Sequence, residues 1–179
     1  MQVTTTRAKE TESISFRIDQ ETLNKVRRTA DENRLSINTL INQILQDHIE
    51  WHSVAPDAAP MPIMKAPLIA FLEFIPDEAL IEIAKKIAYV SWKEFILMSK
   101  GEFTLESSLG TLETMLRIGR HAIKHEERNG MHIYAIQHNM GGKWSIYLRT
   151  IIEKWFEELS VRKFESTVTP NAVHFRIYV

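Results

Sequence analysis

The sequence predicts an α+β protein of two folded parts, and three observations carry that prediction. Ser13 to Asp19 alternates polar and apolar side chains and runs without a break into two short amphipathic stretches. Pro56, Pro60, Pro62 and Pro67 then fall within sixteen residues and mark a boundary. Beyond Leu68, helical apolar spacings alternate with short β-favouring runs, and the chain closes on two such runs around Pro170-Asn171. The organisation that follows is an arm over 1–11, a strand–helix–helix unit over 12–51, a linker over 52–67 and an α+β domain over 68–179. The last is expected to carry a small, largely antiparallel sheet.

Each element has a physical reason. Along Ser13-Ile14-Ser15-Phe16-Arg17-Ile18-Asp19, the apolar set Ile14, Phe16 and Ile18 points one way and Ser13, Ser15 and Arg17 the other. A lone strand has unpaired N–H and C=O groups, and no second strand follows locally, so the expected partner is a second copy of the chain. Asp19 is a good N-cap for a helix carrying Leu23, Val26 and Ala30. Ser36 caps a second helix with Ile37, Leu40, Ile41, Ile44, Leu45 and Ile49. That stripe is too broad for a forty-residue unit to bury alone, and two copies would cover it.

This order resembles the ribbon-helix-helix family of DNA-binding dimers, of the Arc, MetJ and CopG type. The resemblance rests on Ser15-Phe16-Arg17-Ile18-Asp19, the Leu23/Val26 pair, Asp31-Glu32-Asn33 and Ser36-Ile37-Asn38, and it covers residues 12–51. It implies a swapped, antiparallel β-ribbon that enters the major groove of an operator. Ser13, Ser15 and Arg17 would read bases, and Ser36, Ile37 and Asn38 would hold a backbone phosphate. The chemistry suits those roles, since Arg can bond guanine O6 and N7 together and a helix N-terminus favours phosphate. Lys25, Arg27 and Arg28 are either further phosphate contacts or a solvated helix face.

Charge adds no support. Over residues 1–52, Arg7, Lys9, Arg17, Lys25, Arg27, Arg28 and Arg34 are set against Glu10, Glu12, Asp19, Glu21, Asp31, Glu32, Asp47 and Glu50. DNA-binding domains are usually basic, so binding here would depend on where the cations stand. The whole chain has a net charge of −1, with 44% hydrophobic and 25% charged residues, as a folded chain does. With no cysteine it has no disulfide framework, thiolate metal site or thiol redox sensor. No N-terminal apolar leader or long apolar run is evident, which points to a cytoplasmic protein and away from membranes.

In the second domain, Leu68 to Ile75 reads as a strand or the approach to a helix. Pro76, Asp77 and Glu78 open a helix with Leu80, Ile83, Ala84, Ile87 and Ala88 on its buried side. Tyr89 to Met98 either continues it or starts another, ending near Gly101. Thr104 caps a helix whose Leu105, Leu109, Leu112, Leu116, Gly119 and Ile123 carry it to Asn129-Gly130. Met131 to His138 is a strand apolar on both faces and therefore central. A helix with Trp144, Tyr147, Leu148, Ile151, Ile152, Trp155, Phe156 and Leu159 follows, then strands at about 162–169 and 172–178.

Two patterns there invite chemistry. His121 and His125 are four apart on the expected helix, and His132 and His138 share one face of the next strand. Together they can form a cysteine-free site for zinc, nickel or copper, or they are a solvated pair beside hydrogen-bonded strand histidines. Nickel-responsive ribbon-helix-helix regulators use a His-X-His pair and a cysteine; this chain has neither, which counts against nickel. Gly141, Gly142 and Lys143 open a helix where an anion or ligand can be cradled, although a tight turn explains them more simply. No catalytic constellation stands out, so no enzyme activity is expected.

The functional expectation is a dimeric, sequence-specific transcriptional regulator, such as a repressor. It would bind a double-stranded DNA operator, and its C-terminal domain would sense a small ligand or metal effector or extend the dimer to a tetramer. The alternative is an antitoxin whose C-terminal part binds a toxin protein. A DNA-organising protein of low specificity fits the near-neutral N-terminal charge least well.

Overall fold

The computed structural model describes residues 11–49, 63–159 and 161–179. It is an α+β chain with a small, four-stranded, wholly antiparallel sheet. The chain divides into two compact units, Met1–Ile44 and Leu45–Val179. Most of the expected arm and of the proline-rich linker lies outside the described residues.

The first unit holds α1 (Gln20–Glu32) and most of α2 (Ile37–Asp47). Asp19 caps α1, its carboxylate accepting the Thr22 amide at 2.8 Å. The helix ends in a 6→1 bond from the Leu35 amide to the Ala30 carbonyl at 2.8 Å. Arg34 takes the left-handed conformation (φ 55°) that such an ending requires, where glycine would be the easier residue. Ser36 Oγ accepts the Thr39 amide at 3.0 Å and starts α2. Both caps are those read from the sequence. The strand expected over Ser13–Asp19 is not formed within this single chain. The physical reason is that a strand exists only with a hydrogen-bonded partner, and the chain supplies none locally.

The second unit runs α3 (Lys65–Glu73), α4 (Asp77–Ile87), a π-helical turn (Ala88–Trp92), α5 (Lys93–Lys100), α6 (Leu105–Ile118), β1 (Ala122–Arg128), β2 (Met131–Gln137), α7 (Gly141–Glu158), β3 (Lys163–Thr169) and β4 (Ala172–Tyr178). The strand order is β1-β2-β4-β3, so β2 is central as its two apolar faces predict. Leu68 to Ile75 is mostly helix: α3 opens at Lys65 and takes Pro67 into its first turn, where a missing N–H breaks no bond. Thr104 caps α6 as expected, in a reciprocal box with Ser107.

The largest correction falls between Thr104 and Gly130. The apolar spacing there predicts one helix, but α6 stops at Ile118 and 122–128 is an edge strand. Two local features explain the difference. Arg120 adopts φ 53° and the His121 amide closes on the Leu116 carbonyl at 2.9 Å, so the helix ends one residue beyond Gly119 on a non-glycine. Asn129-Gly130, which resembles a helix stop, is a two-residue hairpin turn with both φ positive, and Arg128 pairs with Met131 across it. Ile123 keeps the heptad spacing by coincidence and lies instead on the inner face of β1, opposite Ile136.

One face of the sheet is packed by helices. Tyr134, Ile136, Val173, Phe175 and Ile177 meet Leu148, Ile152, Trp155 and Phe156 of α7 and Leu112 and Leu116 of α6 in one core. α4 packs chiefly on α7. Burying each such side chain is worth about 1.5–3 kcal/mol, so this unit carries a core of its own.

Candidate functional site

The proposed base readers lie on the segment leading into α1. Ser13, Ser15 and Arg17 are exposed, and so are their apolar neighbours, Ile14 at 81% and Phe16 at 56%. Leaving an isoleucine and a phenylalanine in water is unfavourable, and α2 adds exposed Ile44, Leu45 and Ile49. Across α1 and α2 only Ala30 is buried.

At the start of α2, Ser36 and Asn38 are exposed and Ile37 is half-buried. The amides of Ile37 and Asn38 are the first two of the helix, where no intrahelical acceptor exists. Ser36 Oγ also bonds Thr39 Oγ1 at 2.7 Å. Lys25 and Arg28 are exposed, paired with Glu21 and Glu32 one turn away, and Arg27 reaches Asn24. Exposed pairs of this kind are worth only about 0.3–0.5 kcal/mol, which a phosphate readily overcomes.

The histidines do not gather into the four-residue metal site that is one of the two readings of their spacing. His121 and His125 share no helix: His121 lies in the turn before β1 and His125 within it. The four residues separate into two pairs. Among the described residues, no three His, Cys, Asp or Glu side chains stand together so as to hold a metal ion.

The outer pair belongs to a chain of hydrogen bonds. Tyr134 donates to Glu113 Oε1 at 2.6 Å, and His125 Nδ1 lies 2.9 Å from the same oxygen. His125 Nε2 lies 3.1 Å from His132 Nδ1. Since a carboxylate only accepts, His125 donates through Nδ1, and its Nε2 shares the second hydrogen bond with His132. The His125 ring also stacks on Tyr134, with centroids 4.0 Å apart. Burial first, and the Glu113 carboxylate second, push the Tyr134 phenol further towards its protonated form.

The inner pair is His121 and His138, with ring centroids 6.4 Å apart. His138 is 1% exposed, and its Nδ1 accepts the Met140 amide at 3.1 Å. Its Nε2 must then carry the proton and donates to Ser145 Oγ at 2.8 Å, which donates in turn to the Thr169 carbonyl at 2.6 Å. Burial, then His121, then Lys65 hold the His138 imidazole down at about 4. His121 is also held at about 4, by burial and then Lys65, and its ring stacks near Trp144. These neutral, packed rings serve the fold. Neither Glu113 nor Ser145 was a candidate from the sequence, because nothing local links them to histidines many residues away.

Gly141, Gly142 and Lys143 form the start of α7. Gly141 needs its positive φ of 83°, and its amide donates to Asn171 Oδ1 at 3.2 Å. The Lys143 ammonium donates to the Ile75 carbonyl at 2.7 Å and pairs with Asp77, so it ties α7 to the start of α4. An anion here would have to displace those contacts.

No protein-family model and no curated protein matches the chain. Among the described residues, no helix is long and apolar enough to cross a membrane.

Proposed function

We propose that the protein is a dimeric, sequence-specific DNA-binding regulator of the ribbon-helix-helix type. The observation that carries this reading is the set of large apolar side chains that one chain leaves exposed in the segment before α1 and along α2. Ile14, Phe16, Ile44, Leu45 and Ile49 are exposed beside two correctly capped helices. In an intertwined dimer, Ile14 and Phe16 of two antiparallel strands would pack on the α2 stripes. Ser13, Ser15 and Arg17 would then line the outer face of the ribbon, and the α2 N-termini would sit over phosphates. The second unit would sense an effector or extend oligomerisation. Its own aromatic core favours a regulator over an antitoxin, whose partner-binding tail typically orders only on binding.

Selection from a random duplex pool, with wild type and Arg17→Ala side by side, tests the reading. The expected result is a palindromic motif in which the variant loses one guanine preference, worth about 1–3 kcal/mol. A motif-free wild type, or a variant with an unchanged motif, refutes ribbon readout.

A further inference from the structure

We propose that the helical rod from Asp77 to Lys100 is a second self-association surface, pairing antiparallel with the same rod of another copy about a twofold axis at Val90. α4, the π turn and α5 follow one another with helical dihedrals throughout, from the cap at Pro76 to Gly101. Leu80, Ala84, Ala88, Phe95 and Ile96 are buried in the unit. Four further apolar side chains of the rod, Ile83, Val90, Leu97 and Met98, face solvent and are all 42–53% exposed, whereas Ile81, Ile87 and Trp92 are half-buried. Ile83 and Leu97 each lie seven residues from Val90, and the extra residue of the π turn brings Met98 into the same stripe.

Charge selects the occupant. Lys86 and Glu94 are exposed, of opposite sign and each four residues from Val90. Among the described residues neither has an ion pair within its own chain. In an antiparallel pair centred on Val90, Lys86 faces Glu94 of the other copy twice, and Ile83 faces Leu97 twice. A twofold interface repeats each contact, so one complementary pair serves as two. A parallel pairing would set like charges together.

The surface is independent of DNA reading and is tested without DNA. The chain has no cysteine, so Val90→Cys introduces a single thiol. On a twofold axis that thiol meets its own copy, and mild oxidation should give a disulfide-linked pair. Thr167→Cys, on the exposed face of β3, should not. Adding Lys86→Glu should lower the cross-linking yield about tenfold by turning two attractions into repulsions, and Lys86→Glu with Glu94→Lys should restore it. Arg17→Ala should leave it unchanged. Val90→Cys cross-linking no faster than Thr167→Cys, or no rescue by the double reversal, overturns the proposal. Sedimentation of cysteine-free Lys86→Glu against wild type reads the same outcome if Val90→Cys folds poorly: a mass unchanged by the charge reversal also overturns it.

Discussion

Acid should destabilise the second unit through one identifiable side chain. His138 is almost fully enclosed, and its ring is committed to the neutral form with the proton on Nε2. Protonating Nδ1 would set a second N–H against the Met140 amide. An ordinary imidazole titrates near 6.5, and His138 in the fold near 4, so between those values the unfolded chain binds more protons than the native one. Stability is therefore full above about pH 6.5 and falls as the pH drops towards 4. The integrated loss from His138 is about 2 kcal/mol by pH 5 and about 3 kcal/mol at and below pH 4. His121, shifted the same way, adds to the trend. Urea unfolding followed by the fluorescence of Trp92, Trp144 and Trp155 measures it at pH 7.5, 6 and 5. His138→Gln keeps an acceptor for Met140 and a donor for Ser145 but does not titrate, so its curve should be flatter by about 2 kcal/mol between pH 7.5 and 5. Equal pH slopes for wild type and His138→Gln would refute the reasoning. So would a histidine NMR titration placing His138 near its ordinary value.

Two further outcomes follow from the same unit. Glu113→Gln should cost about 1–2 kcal/mol by weakening the bonds from Tyr134 and His125, and thermal unfolding checks it; an unchanged Tm would mean that solvent replaces the carboxylate freely. Gly119→Ala should destabilise by about 1–3 kcal/mol, because a Cβ there would stand 2.9 Å from the His121 ring. Denaturant midpoints decide between that clash and a ring that simply swings aside, which would leave the midpoint unmoved.

Local chemistry made much of the chain legible. Asp19, Ser36 and Thr104 cap the helices expected of them, because a capping hydroxyl or carboxylate acts within three residues of its own position. β2 is central and β3 and β4 flank the Pro170-Asn171 turn, since doubly apolar strands and turn residues carry their own signatures. What failed was local evidence that pointed two ways. The Ala122–Arg128 strand is charged and carries one large apolar residue, Ile123, so its propensity alone favours helix. It is a strand because Asn129-Gly130 folds it onto β2, whose backbone groups satisfy it.

The sequence by itself determined the helix caps, the antiparallel character of the sheet and the α+β class, each of them a consequence of side-chain period or of a cap a few residues long. Only the tertiary structure decided what the histidines do. Their spacing allowed either a metal site or a solvated pair beside hydrogen-bonded strand histidines; strand pairing sets His125 beside Glu113 and His132, and burial closes His138 over Ser145. The role of an imidazole depends on which acceptors and donors the fold brings within about 3 Å of its two nitrogens, and those come from residues far along the chain.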